Sequence, residues 1–330
     1  MNIQLLSDVG APAGAVGVIS NGSLSRVEVF GDASPSTEFL FGSVSKPIAA
    51  KVALTSSDQG VLDLDAPLGQ GITTQDLLNH TAGIRFGVDI LDRDRPEASA
   101  IEVAQQYPME SSGVGQYSYS SLGYLYVQAM IEKGMGEPYE DALREVFPLQ
   151  QFGASAESCG AVVQGHRLAG PIPLPITTAY DGAGGAYGYT CGSIEDLATF
   201  AVNHLSEPTL GAGTSTGTAE QRYADGWRVT AEQDGTTTHW HTGTVPGYSS
   251  AIFLNVDSGD GVVILSNASG FLHEEEFYGA SRALYDESRG SPVTPPDTVI
   301  AADAIPSGLV ALAVLVVLLQ SWGSRKTGVE

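Results

Sequence analysis

The chain has 330 residues and a mass of 34.3 kDa, which suits one large domain or two intimate ones rather than a peptide or a disulfide-stapled mini-domain. Fifteen Lys plus Arg stand against 38 Asp plus Glu, a formal charge of −23, so no basic patch is available to release phosphate counterions and nucleic acid is excluded as a natural partner. With 42% hydrophobic and 16% charged residues the chain can bury a sizeable core, which excludes global disorder, while its acidic, lysine-poor surface suits concentrated salt.

Residues 1–8 lack the basic and long apolar regions of a secretory signal. Two apolar runs, 14–20 and 24–30, flank Asn21-Gly22-Ser23, and Asn-Gly between such runs predicts a β-hairpin. A helical pattern covers 46–60. Thr73 or Thr74 caps a short helix through Leu77 and Leu78, and further helices are predicted over 121–133, 139–146 and 193–204. The periodicity then changes to that of strands at 226–230, 237–241, 249–256 and 261–266, followed by a last helix over 274–285. Strands at both ends with helices between them predict an α+β architecture, an antiparallel sheet formed from both termini with a helical insertion.

Beyond this region no charge occurs between Asp303 and Arg325, and residues 309–319 read LVALAVLVVLL. An apolar helix of about 20 residues spans about 30 Å, a bilayer core. Trp322 stands where an interfacial aromatic would, and Arg325 with Lys326 favours a cytoplasmic end. The expected organisation is a globular domain over 1–288, a linker over 289–303, a transmembrane helix over 304–324 and a cytoplasmic tail over 325–330, with the domain outside the cell membrane. An N-terminal domain without a signal would then need the single span, or a start further upstream, for its export, or else it stays in the cytosol.

Cys159 and Cys191, the only cysteines, belong to no CxxC or Cys/His cluster, so no zinc site is expected. Two separate core thiols are the simpler reading, with a disulfide as the alternative outside the cell. No spacing among His166, His204, His239 and His273 suggests a metal, and no cofactor is implied.

Chemistry gathers first at Gly42-Ser43-Val44-Ser45-Lys46. Three residues apart at a helix start, Ser43 and Lys46 stack on one face, where an amine can take the proton of a hydroxyl and the helix N-terminus favours negative charge. Alone, Ser-x-x-Lys is a common accident. Its company is Leu77-Leu78-Asn79-His80-Thr81-Ala82-Gly83, Tyr119-Ser120-Ser121, Ala183-Gly184-Gly185 and His241-Thr242-Gly243-Thr244, in that order. In this series the chain resembles serine β-lactamases and penicillin-binding-protein-like hydrolases, the branch of class C β-lactamases, D-alanyl-D-alanine carboxypeptidases and related esterases, from about residue 13 to 285.

That resemblance implies the β-lactamase/transpeptidase-like fold and a catalytic set of Ser43 as acylated nucleophile, Lys46 as general base or proton relay, Tyr119 as proton shuttle and His241 as a source of positive potential or a hydrogen bond. It further implies an oxyanion hole from the Ser43 and Thr244 N–H groups, with Ser121, Thr242 and Gly243 lining the substrate site. One position departs from the pattern. Ser121 stands where the family's Tyr-x-Asn carries asparagine, and a hydroxyl cannot donate and accept with two separate groups as an amide does. An ester therefore becomes a better expected substrate than a β-lactam, and a low-turnover acylated sensor is the alternative to a hydrolase. His80 and Asp65 read as structural. Lys326-Thr327-Gly328 spells a family motif beyond the apolar segment, and Gly213-Thr214-Ser215-Thr216-Gly217 spells a nucleophile elbow in a loop context that does not suit one.

Overall fold

Asn21 and Gly22 adopt φ of 51° and 71°, the backbone that a two-residue hairpin turn requires, and the flanking runs pair as β1 (Gly14–Ser20) and β2 (Ser23–Phe30). The structure is a computed structural model describing residues 1–218, 221–270 and 273–290. Six later strands complete the main sheet: β3 (Thr214–Ser215), β4 (Gln221–Ala224), β5 (Trp227–Ala231), β6 (Thr237–Val245), β7 (Tyr248–Asn255) and β8 (Asp260–Ser266). The order across it is β2-β1-β8-β7-β6-β5-β4-β3, antiparallel throughout, so the first hairpin closes onto the last strand as the sequence predicts.

Every residue of β7 is buried, because both faces of the sheet are covered. Ile252 and Leu254 point into the larger core with α2 (Ser45–Asp58) and α7 (Ile194–Ser206), while Ala251 and Phe253 meet Phe277, Leu284 and Tyr285 of the last helix, α8 (His273–Ser288). Strand alternation thus splits one element between two cores, and each fully buried Leu, Ile or Phe contributes about 1.5–3 kcal/mol. The helical insertion comprises α2, α3 (Thr74–Leu78), α4 (Ala100–Gln106), α5 (Ser121–Met135) and α6 (Tyr139–Val146); a five-residue α1 (Gln4–Asp8) precedes the hairpin. Thr73 and Ser193 cap α3 and α7 through capping boxes with Asp76 and Asp196. The sequence reading did not include α1, α4 or the strands β3 and β4.

The two cysteines are joined, which corrects the reading of separate thiols. The Cys159–Cys191 bond, with Cα atoms 5.8 Å apart, closes a loop of 32 residues. Cys191 also exchanges backbone hydrogen bonds with Gly153, at 2.9 and 3.0 Å, and pairs with Leu40 just ahead of Ser43, so the bridge braces the chain entering the nucleophile turn. Residues 304–324, the expected membrane span, lie outside the described residues; among the described residues no helix is long and apolar enough to cross a membrane.

Candidate active site

Gly42 starts a single 3₁₀ turn, Gly42–Val44, that runs into α2 and holds Ser43 at its middle. Its φ of 52° and its surroundings both demand glycine: a Cβ there would stand 2.4 Å from the Thr244 nitrogen. Gly243 matches it from the strand side, since a Cβ would lie 2.2 Å from the Phe41 carbonyl oxygen and 2.7 Å from the Ser43 nitrogen. Two missing side chains thus let the turn press against β6 and bring the Ser43 and Thr244 amides together. The Ser250 hydroxyl donates to the Phe41 carbonyl and fastens the junction from β7. Register leaves the strand accessible here: β5 pairs with β6 only as far as Arg228 opposite Trp240, so the outer edge of residues 241–245 faces a cleft.

Lys46 is fully buried one helical turn from Ser43. Its Nζ lies 2.9 Å from Ser43 Oγ, 3.2 Å from Ser121 Oγ and 3.0 Å from the Tyr187 carbonyl oxygen. Loss of water pushes its ammonium well below the ordinary lysine range; Asp92 opposes that shift and Arg228 adds to it. A neutral amine keeps two N–H groups for Ser121 and Tyr187 and turns its lone pair to the Ser43 hydroxyl. The rings of Tyr119 and Tyr124 stand 5.0 and 5.5 Å from Nζ and keep water away.

Tyr119 and Ser121 flank Ser120, which caps α5 by accepting from the Gly123 N–H. Ser120 in turn donates its N–H to His80 Nδ1 at 3.2 Å and its hydroxyl to the Arg85 carbonyl at 2.7 Å. His80, at φ 57°, therefore fixes the Tyr119 segment through backbone contacts and packs its ring 4.4 Å from that of Tyr119, the structural part expected of it. Burial raises the Tyr119 phenol to about 12, against the pull of the Ser43 hydroxyl and the Arg228 charge.

His241 is buried, and desolvation, reinforced by Arg228 and Lys46, holds its imidazole well below the usual histidine range. Both effects oppose a positive charge on the ring. Nδ1 lies 2.6 Å from the Thr242 carbonyl, and Nε2 lies 3.2 Å from the Tyr223 hydroxyl, whose own O–H donates to the Gly226 carbonyl at 3.1 Å. The fixed positive charge comes from Arg228 of β5, whose guanidinium rests 5.4 Å from the Tyr119 ring, 5.9 Å from Tyr223 and 5.4 Å from Trp240, with no carboxylate partner among the described residues.

Ser43, Tyr119, Ser121, Arg228, His241, Thr242 and Thr244 all border one cleft of 240 Å³, joined by Phe86, Leu91 and Asp92 from the loop after α3, by Tyr187 and Val245, and by Glu274 at the start of α8. Gly243 contributes through its backbone rather than the wall. Arg228, Asp92 and Glu274 escaped sequence reasoning because they belong to no motif; an arginine between buried Trp227 and Val229 in a strand ending beside His241 was the available signal. The segment 160–181 borders a separate cavity of 480 Å³ with Cys159 and Tyr248. Ser215 sits exposed on the edge strand β3, away from this cleft, and forms no elbow. Lys326, Thr327 and Gly328 lie outside the described residues.

A family model described as Beta-lactamase matches residues 3–286. The chain is 27% identical over 296 residues to penicillin-binding protein 4 of Amycolatopsis lactamdurans, covering 76% of this chain and 77% of that one. Among solved structures it is similar in fold to an octameric penicillin-binding protein homologue from Pyrococcus abyssi, with TM-score 0.74, 20% identity and coverage of 88% and 76%. A class C beta-lactamase superposes with TM-score 0.69 at 16% identity, covering 84% of this chain and 91% of that one.

Proposed function

The chain belongs to the beta-lactamase family, and from that premise we propose that it is a serine hydrolase that works through an acyl-enzyme on an ester or amide. The observation that carries this reading is an amine, stripped of water and shifted toward its neutral form, 2.9 Å from a serine hydroxyl at a helix start. Lys46 takes the Ser43 proton as Oγ attacks the acyl carbonyl, and the Ser43 and Thr244 N–H groups receive the oxyanion. Tyr119, a phenol near neutral pH, passes a proton to the leaving group, and the two groups reverse these roles when water attacks the acyl-enzyme. Ser121 holds the amine, while His241 holds Thr242 and Tyr223 in place.

Arg228, charged and without an ion-pair partner among the described residues, favours a substrate that brings a carboxylate to its side of the cleft. Ser121 in place of an amide favours an ester over a β-lactam. For localisation the reading is a single span over 304–324, supported by the uncharged run and by Arg325 and Lys326 after it, with the hydrolase domain outside. A chromogenic aryl ester tests the activity: release that continues beyond one equivalent supports a hydrolase, with kcat/KM exceeding that for a cephalosporin. Release of one equivalent followed by a plateau overturns it in favour of a low-turnover acylated sensor.

A further inference from the structure

Asp92 is a carboxylate of the cleft with no part in the acylation steps above, and its attachments tie it to Lys46. The Tyr187 carbonyl receives the Lys46 amine at 3.0 Å, and the hydroxyl of the same tyrosine accepts the Asp92 N–H at 2.9 Å. Two residues on, the Tyr189 hydroxyl donates to Asp92 Oδ1 at 3.1 Å. Both tyrosines belong to one π-helical turn, Gly185–Tyr189. The turn is itself anchored: the Tyr187 hydroxyl donates to Asp181 at 2.7 Å, and fully buried Asp181 is gripped by Arg95 at 2.7 and 2.8 Å. The base and the carboxylate therefore sit on two sides of one braced turn.

We propose that Asp92 is a positioning residue for Lys46, supplying the counter-charge for the ammonium that forms when the lysine takes the serine's proton. This rests on the reading of Ser43 and Lys46 given above. In that step the Ser43 O–H bond breaks, an N–H bond forms on Lys46 and the oxygen's electron pair goes to the acyl carbon, so a positive charge appears where no water can solvate it. The groups facing Lys46 are Tyr119 just ahead of α5, Tyr124 within it, His80, His241 and Arg228; of the charges acting on the lysine, Arg228 repels an ammonium and Asp92 attracts it. Around Asp92, burial raises its carboxyl above the ordinary range and Asp181 adds to that, while the Tyr189 hydroxyl, Lys46 and Arg93 pull the other way and favour the carboxylate. The backbone has no need of the charge, since asparagine is as much at home at φ 55° as aspartate.

The test is the rate constant for fluorophosphonate labelling of Ser43 against pH, in the full chain and in its Asp92→Asn and Asp92→Glu variants. A rate constant, unlike a yield, reads correctly in a partly folded preparation. With the counter-charge gone Lys46 becomes a weaker base: in Asp92→Asn the acid limb is expected to move to lower pH and the plateau to fall about tenfold, while Asp92→Glu keeps its limb beside that of the native chain. An Asp92→Asn limb that stays put, with or without a lower plateau, overturns the proposal by leaving Asp92 a structural loop residue. Absence of Ser43 labelling in the native chain is a different result and overturns the serine hydrolase reading instead.

Discussion

Lys46 is fully buried, and burial shifts it toward the neutral amine before any substrate arrives. Only the neutral amine can accept the Ser43 proton, so activity is lost as pH falls through the lysine's folded-state pKa. Because that pKa lies well below 10.5, the acid limb of kcat/KM is expected well below the pH at which a solvated lysine titrates. A limb near that of an exposed lysine would refute the assignment. Lys46→Ala and Tyr119→Phe are each expected to lower kcat by about 10²- to 10⁴-fold with little change in KM, because both groups act in the transition state; near-normal kcat in either variant removes that residue from the mechanism. The convergence of Ser43, Lys46, Tyr119 and His241 was legible because motif order survives in sequence. The surroundings of His241 were not, since its burial beside Tyr223, Lys46 and Arg228 arises only in three dimensions and nothing local announces it.

At the scale of elements, the meeting of the nucleophile turn with β6 sets the site, and it is built from absent side chains. Gly243→Ala would place a methyl group 2.2 Å from the Phe41 carbonyl oxygen and 2.7 Å from the Ser43 nitrogen, forcing turn and strand apart. The expected result is a loss of about 10²- to 10³-fold in kcat, the range for losing one oxyanion donor, with Lys46 and Tyr119 still in place; unchanged kcat would show that the two amides are not a functional pair. The hairpin, the Thr73 and Ser193 caps and most strands could be read because each carries a local signal in turn chemistry or periodicity. The helix α4 carries one too, a capping box of Ser99 and Glu102, but only seven residues follow and the pattern is too short to stand out. The Gly185–Tyr189 turn has no periodicity at all, and its role as the acceptor of Lys46 exists only in three dimensions.

On the scale of the whole molecule, every residue placed in the mechanism precedes residue 249, whereas the uncharged run begins after Asp303. Truncation after Arg289 is therefore expected to give a soluble, active protein, while the full chain partitions into membranes and its domain is shaved from intact cells by protease. A domain protected from protease, with an accessible C-terminal tag, would invert the proposed topology. The centre of the account is the identity of the nucleophile. The direct measurement is to label the full chain with a fluorophosphonate and map the modified peptide by mass spectrometry, beside the Ser43→Ala variant. The expected result is a single adduct on Ser43 that the variant lacks while remaining folded; an adduct on Ser215, or undiminished labelling of the variant, would contradict it.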